Sequence, residues 1–151
     1  MIFDELYNKV NSVIDRLDEI MVEVMVEHEA EIIDLNLSQL EEGIDAEGQA
    51  IEPEYEYEEY AKLKKSMGSR APFGTPDLKL EGDFHSGFYG EPYNTVNEGM
   101  SGLFVDSRDE KSEKLQRKYG LIFGIAPKNM PELQDILIEG SQKFIIDEIT
   151  K

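Results

Sequence analysis

Three residues in the middle of the chain have the side-chain chemistry of an acid–base site. Asp83, His85 and Ser86 lie within four positions, and a carboxylate, an imidazole and a hydroxyl together serve nucleophilic hydrolases. That chemistry requires the imidazole to reach the hydroxyl while the carboxylate orients it, and near neighbours in sequence rarely point at one another. We therefore expect no catalytic residues here and no enzyme activity.

Two other patterns resemble metal sites without meeting their requirements. His28 and Glu29 match the start of a zinc-protease motif, but the position of the second histidine is occupied by Ile32. Asp45 and Glu47 resemble the start of a calcium loop, yet the regular ligand alternation and terminal glutamate are missing. The chain has no cysteine. We expect no metal ion and no cofactor, and we place His28 on a partly exposed polar edge.

The stretch that contains Asp83 is better interpreted as a structured corner. Residues 76–89 read PDLKLEGDFHSGFY, in which large apolar side chains alternate with glycines that a regular helix or strand would disfavour. We expect it to join two halves of the chain, with a valine at Gly82 damaging folding or assembly. Its packing residues are predicted to be Leu78, Leu80, Gly82, Phe84 and Phe88.

The two parts of the chain differ sharply in net charge. Of the net −18, residues 1–60 hold 19 acidic against 2 basic residues, and residues 61–151 hold 14 against 13. Such a surface disfavours binding to a phosphate backbone, because that affinity depends on cations. The charge either solvates exposed helices, contacts a basic protein partner, or forms an acidic wall that lets nucleic acid pass.

The N-terminal third carries the clearest periodicity. Apolar residues recur at steps of three and four from Ile2, which predicts an amphipathic helix to about Ile33. At 1.5 Å per residue it would be roughly 45 Å long, more than a small domain needs, so part of its face is expected to meet another chain. Packing within the monomer is the competing explanation.

The remaining pattern predicts an α+β fold in a single domain. Segment 35–68 should hold a hairpin over 39–51 and a helix from Pro53 to Gly68, whose Tyr57, Tyr60 and Lys64 share one face. Segment 69–99 should hold a loop, the corner and a polar loop over 90–99. Segment 100–151 should hold a strand at 100–106, a helix at 110–119, a strand at 121–126 and an amphipathic helix from Pro131. The sheet is expected to be small and mostly antiparallel.

Two amphipathic helices exceed what one small sheet can cover, which predicts oligomerisation. Gly140 should allow close approach of the last helix to a neighbour. The candidate oligomer interface consists of Leu6, Val10, Val13, Leu17, Met21, Ile136, Gly140 and Phe144. No apolar run is long enough to span a bilayer, and the N-terminus lacks the order of a signal peptide, so we expect synthesis in a cytoplasm and no membrane contact.

Short motifs resemble a known class of proteins. The order QLEEGIDAEGQAIEPEYEYEEYAKLKKSMG, PDLKLEGDFHSGFY and KYGLIFGI is similar to neck or head-to-tail connector proteins of tailed bacteriophages, of the crAss-like and Bacteroidetes phage type. The similarity covers about residues 36–149. The chain is also similar, more distantly, to tail-completion proteins. It departs from the pattern at Glu81, where many relatives carry threonine. The resemblance implies a virion ring protein that contacts portal, connector or tail subunits, and it carries over no catalytic residues.

The sequence therefore leaves two alternative functions from different classes. The first is a ring subunit of a phage neck or tail, bordering the DNA passage without binding DNA specifically. The alternative is an acidic binding or inhibitor protein that mimics DNA on a basic protein surface. A ring subunit should form homo-oligomers or join its portal complex, whereas a mimic should be a monomer that competes with DNA in a salt-sensitive way.

Overall fold

A computed structural model describes residues 2–79, 82–95 and 100–151, and within them the chain has a mixed α+β fold. This confirms the predicted fold class of two terminal amphipathic helical regions and a small antiparallel sheet. The elements, in chain order, are α1 (Ile2–Asp15), α2 (Leu17–Glu27), α3 (Glu29–Glu41), α4 (Glu58–Ser66), α5 (Asp83–Ser86), β1 (Phe88–Thr95), β2 (Met100–Ser107), α6 (Ser112–Tyr119) and α7 (Met130–Thr150).

The predicted long N-terminal helix is present, with two bends. Arg16 and His28 leave ideal helical geometry, with φ of −110° and −104°, and they separate α1, α2 and α3. Backbone hydrogen bonds continue through the second bend, because the Ile32 amide donates to the His28 carbonyl at 3.0 Å. The helical run ends at Glu41 rather than Ile33, since the buried side chains of Leu35 and Leu40 extend its apolar face.

Helix α7 lies antiparallel to α1 and α2. Buried Val13, Ile20 and Val24 pack against a row of partly buried α7 side chains, namely Leu137, Phe144, Ile145 and Ile149. Close packing here requires Gly140, because a Cβ at that position would lie 2.6 Å from Val24 Cγ1. At the far end, Lys9 Nζ donates to the carbonyl of Lys151 at 2.6 Å. Much of the apolar face of α7 is therefore used within the chain.

The sheet consists of β1 and β2, which pair antiparallel with Phe88 opposite Ser107 at one end and Thr95 opposite Met100 at the other. It packs over α2 and α3, where the Gly90 amide donates to Glu29 Oε1 at 2.7 Å. The strand predicted at 100–106 is confirmed. The loop predicted over 90–99 is wrong for 90–95, which belong to β1, while 96–99 lie outside the described residues. Gly90 leaves space for the Leu103 side chain across the ladder, and glycine and proline are tolerated in such an edge ribbon.

The hairpin predicted over 39–51 is wrong, because α3 continues to Glu41 and only the bridge Ile44–Ala50 remains. A turn replaces it, in which Asp45 Oδ1 accepts the amides of Glu47 and Gln49, each at 2.9 Å. The helix predicted from Pro53 begins five residues later, at Glu58.

The strand predicted at 121–126 is also wrong. Two buried amide side chains of α3 replace the missing ladder. Asn36 Nδ2 donates to the Ile122 carbonyl at 3.0 Å, and Asn36 Oδ1 accepts the Gly124 amide at 2.8 Å. Gln39 Oε1 accepts the Ala126 amide at 2.7 Å. These bonds satisfy a buried irregular backbone without a neighbouring strand.

Helices α6 and α7 lie where the sequence predicted helices. Gly120 follows α6 with φ of +77°, a conformation that glycine adopts without steric penalty. Pro131 lies in the first turn of α7.

Candidate functional site

The corner residues line a hydrophobic cluster that joins the two halves of the chain. Phe84 is buried against Leu40, Ile51 and Ile122. Leu78 and Phe88 are partly buried against the same cluster, and the rings of Phe84 and Phe88 meet edge to face at 5.1 Å. Leu80 and Glu81 lie outside the described residues. Three of the five predicted corner residues, Leu78, Phe84 and Phe88, are thus placed at this cluster, and Gly82 is not part of it.

Two residues of the corner have left-handed backbones. Leu78 has φ of +58° and Gly82 has φ of +88°. Nothing described lies within 4 Å of a Cβ built at Gly82, so glycine is favoured there for its backbone conformation and not for close packing. Residues 75–77 are irregular, and the short helix α5 forms directly after Gly82.

A buried carboxylate, which the sequence analysis passed over, fixes the corner. Asp77 Oδ1 accepts from Lys64 Nζ at 2.7 Å and from the Lys79 amide at 3.0 Å, while Ser69 Oγ donates to Oδ2 at 2.9 Å. Burial by itself raises the pKa of Asp77, but these three donors together hold that pKa below its usual range. Lys64 also donates to the Lys79 carbonyl. Asp77 therefore ties α4 to the corner.

His85 is buried beside this network and bonds to the backbone of Asp77. Its Nε2 donates to the Asp77 carbonyl at 3.0 Å, which leaves Nδ1 as the unprotonated nitrogen. Burial lowers the pKa of His85, so the neutral ring is favoured. Ser86 Oγ donates instead to the Asp83 carbonyl at 3.1 Å. Within the described part of the chain, no three acidic or histidine side chains are placed to hold a metal ion.

An aromatic groove opens next to the corner, with a cavity volume of about 790 Å³. The Tyr55 and Tyr60 rings meet edge to face at 4.8 Å. Burial and the charge of Asp77 raise the pKa of both tyrosines, so both stay protonated at neutral pH. The groove is lined by apolar, tyrosine, lysine and acidic side chains, including Leu78, Phe84, Leu115, Tyr55, Tyr57, Tyr60, Tyr119, Lys64, Lys79, Lys111, Lys118, Glu54, Glu56 and Asp83.

The predicted oligomer-interface residues divide into two groups. Val13, Gly140 and Phe144 contact other helices of the same chain, and the half-buried Met21 accepts a hydrogen bond from Ser141 of α7 at 3.2 Å. Ile136 is half-buried on α7. The remaining three, Leu6, Val10 and Leu17, are exposed on the outer side of the N-terminal run.

The outer side of α1 is the most exposed apolar surface of any described helix. Ile2 is 81% exposed, Phe3 79%, Tyr7 68% and Ile14 55%. Leu6 and Val10 on α1 and Leu17 at the start of α2 follow the same helical period, so the seven residues form one stripe, and the buried Val13 that packs against α7 lies within its angular range. We call these seven residues the α1 stripe.

Many carboxylates of the acidic half remain exposed, but some are structural. Glu41 pairs with Arg70 at 2.5 Å and with Lys79 at 3.1 Å. Burial alone raises the pKa of Glu41, and these two cations reverse the effect and lower it. Glu41 thus links the acidic half to the corner.

His28 lies on a polar edge, with Nδ1 3.0 Å from Glu31 Oε1.

The fold and the site together define an α+β protein with a packed corner, an open groove and an uncovered helix face. In comparisons with known proteins, no family model, no curated protein and no solved structure matches the chain. Among the described helices, none has the length and apolar character that crossing a membrane requires.

Proposed function

We propose that this protein is a structural subunit that assembles through α1, and that the assembly is a ring in the neck or tail of a bacteriophage virion, between portal and tail. The α1 stripe is the observation that carries the proposal. Six large apolar side chains of α1, with Leu17 at the start of α2, favour burial against another chain. Fully burying an exposed side chain of this kind gains roughly 1.5–3 kcal/mol, and Leu6, Val10 and Leu17 gain less because they are already more than half buried.

Helix α1 also has little support within its own chain. Of its 14 residues only Val13 is buried, and isolated helices of that length are marginal in water. Its main described packing partner is the C-terminal part of α7. A neighbouring subunit would therefore both cover the α1 stripe and stabilise the helix.

The neck location follows from the motif resemblance and from the charge. A DNA passage favours walls that do not bind phosphate, and exposed carboxylates on α2 and α3, such as Glu23, Glu27 and Asp34, would provide such a wall. Assembly needs no catalytic group, and the side chains of His85 and Ser86 both bond to backbone carbonyls. Contacts with portal, connector or other tail proteins belong to this proposal.

Native mass spectrometry tests the proposal. The full chain is measured alone and after mixing with the portal and tail proteins of the same virion. We expect a homo-oligomer, alone or on the portal complex. A chain that stays monomeric in every mixture, and that displaces DNA from a basic protein in a salt-dependent way, would support the DNA-mimic alternative instead.

A further inference from the structure

We propose that the outer edge of β2 binds an extended segment of a partner protein in which basic and apolar residues alternate, and that this segment adds a third strand to the sheet. The inference goes beyond self-assembly through α1, because it concerns a different element of the fold. It depends on the unpaired backbone groups of β2, on the cavity beside them and on the charge of the residues that line that cavity.

The hydrogen bonds of the sheet show which backbone groups of β2 point outward. The Arg108 amide donates to the Gly87 carbonyl at 2.8 Å and continues the register of β1 and β2 by one pair. Hydrogen-bonded and non-hydrogen-bonded pairs alternate along an antiparallel ladder. Every second residue of β2, including Leu103 and Val105, therefore directs its N–H and C=O groups away from β1.

The two edges of the sheet differ in how these outward groups are treated. On the β1 edge, the Gly90 amide donates to Glu29 Oε1 at 2.7 Å, and Pro92 has no amide hydrogen to offer. On the β2 edge, no group of the described residues bonds to the outward N–H and C=O groups of Leu103 and Val105. An open edge of this kind is the surface to which a further strand adds.

A cavity of about 490 Å³ lies beside the open edge. Its lining includes four consecutive residues of β2, 103–106, but only the alternate residues Tyr89 and Glu91 of β1. The cavity therefore extends from one face of the sheet round the β2 edge and not round the β1 edge. Gln116 of α6 and Phe123 also line it. A strand added to β2 would direct every second side chain toward this cavity.

The charges around the cavity indicate which side chains those are. Glu91 and Asp106 are exposed on the same face of the sheet, and no lysine or arginine is among the lining residues. Neither carboxylate forms an ion pair with a described residue. Arg108 lies over the Tyr89 ring, 4.7 Å from its centroid, and does not line the cavity. Basic side chains on this face of the added strand would therefore complement the two carboxylates.

Asp106 has one carboxylate oxygen available for such a cation. Its Oδ1 accepts the Ser107 amide at 2.7 Å and Ser112 Oγ at 2.8 Å. In the part of the chain that the structure describes, no donor reaches Oδ2. A lysine or arginine opposite Asp106 can therefore pair with it without breaking a bond within the chain.

The other face of the added strand would be apolar. Leu103 and Val105 are half-buried and alternate with Phe104 and Asp106, so apolar side chains opposite them would extend the same row. In antiparallel pairing, the residues opposite Leu103 and Val105 also exchange both backbone hydrogen bonds with β2. The apolar residues of the partner therefore direct their N–H groups toward β2, and its basic residues direct theirs away.

Short capped peptides in which lysine alternates with valine test the proposal by calorimetric titration into the full chain. N-methylation of the valines removes the donors that pair with β2, so it should weaken binding at least about tenfold. N-methylation of the lysines should leave the Kd close to that of the parent peptide. A peptide of the same composition, with its lysines and valines in two blocks, measures attraction to the acidic chain alone and should bind at least about tenfold more weakly.

Two measurements on the protein complete the test. The Leu103 and Val105 amides should exchange rapidly with solvent in the free chain and become protected when the alternating peptide binds. Glu91→Gln with Asp106→Asn, which keeps the acceptor at Oδ1, should weaken binding about fivefold. Glu110→Gln with Glu139→Gln is the charge-matched control, because both positions are exposed and lie outside the cavity, and it should bind as wild type does.

Several results would overturn the proposal. Equal weakening by the two N-methylations, or equal affinity for the alternating and block peptides, would show that no strand is added. So would the absence of binding at millimolar peptide. Protection of Leu103 and Val105 in the free chain would show that a second copy of the chain covers the edge instead. None of these results involves α1, so the proposed self-assembly stands or fails separately.

Discussion

Lys64 Nζ lies 2.7 Å from Asp77 Oδ1, and the two side chains are only 5% and 6% exposed. This ion pair connects a helix that begins in the acidic half to the loop that enters the corner. Buried charges are stable only when paired and hydrogen bonded, and here Ser69 and the Lys79 amide complete the carboxylate's partners. The pair thus fixes the position of the corner relative to α4.

Removing one member of this pair should be far more damaging than removing both. Lys64→Met and Asp77→Leu are each expected to lower the free energy of unfolding by about 3–5 kcal/mol, because the remaining charge is left buried. The double variant should lose less than either single variant, because no buried charge is left without its partner. Chemical denaturation measures all three. Lys62→Met, in the exposed pair with Glu58, is the control and should cost at most about 1 kcal/mol.

Contact between α2 and α7 depends on the missing side chain at Gly140. Gly140→Ala gains about 1 kcal/mol of helix propensity, but its Cβ would crowd Val24 Cγ1, and overpacking costs about 1–3 kcal/mol. We therefore expect a net loss of up to about 2 kcal/mol in thermal or chemical unfolding. In a Val24→Ala background the loss should be smaller, because only the looser contact of that Cβ with His28 Nε2, at 3.1 Å, remains. An equal loss in both backgrounds would show that crowding by Val24 is not its cause.

Alanine substitutions at Gly82 and Gly87 should destabilise the fold for different reasons. Gly82→Ala is expected to cost about 1–2 kcal/mol, because of its left-handed backbone, and Gly82→Asn should cost less, since asparagine tolerates that region. Gly87 has φ of −82°, but a Cβ there would lie 2.7 Å from Ser107 Oγ. Gly87→Ala should therefore cost less in a Ser107→Gly background than in wild type, although contacts with the backbone of Asp109 and Asp83 at 3.1 and 3.2 Å remain. Rescue of Gly82→Ala by that same substitution would contradict this distinction.

Stability should fall in mildly acidic solution because of His85. Its pKa in the folded state is lowered from 6.5 by burial, so the unfolded chain binds the proton more readily. The contribution is full above about pH 6.5 and is lost as the pH falls through the folded-state pKa. We expect the unfolding midpoint to drop between pH 7.5 and pH 5, and His85→Gln to reduce that drop. An identical pH profile in the variant would refute the assignment.

The Asp77 contribution has a separate pH window. The folded-state pKa of Asp77 lies below the ordinary 3.8. The ionised carboxylate therefore stabilises the fold above pH 3.8, and this stabilisation is lost only as the pH falls through the lower folded-state pKa.

Regular elements with strong periodicity could be predicted from the sequence. The N-terminal run and α7 follow the three–four spacing of apolar residues because each buries one face along its length. Gly120 and Pro131 marked helix ends correctly. The bends at Arg16 and His28 and the extension to Glu41 were missed, since they depend on packing against other elements.

Segments that depend on distant polar partners could not be predicted. The apolar run 121–126 resembles a strand, but Asn36 and Gln39, more than eighty residues earlier, supply its hydrogen bonds. Conversely, Gly90 and Pro92 made β1 resemble a loop. One feature of the sequence indicates the ion pair of Lys64. Its predicted helical face also carries Tyr57 and Tyr60, and a lysine buried on such a face needs an anionic partner, but the sequence does not show which carboxylate that is.

Sedimentation velocity of the full chain over a range of concentrations tests self-assembly through α1 most directly. The wild-type chain is predicted to sediment as a multiple of 17.2 kDa, and the variant Phe3→Ser/Tyr7→Ser/Ile14→Ser as a folded monomer. A wild-type chain that remains at the monomer mass at every concentration, or a variant that assembles as wild type does, would contradict it.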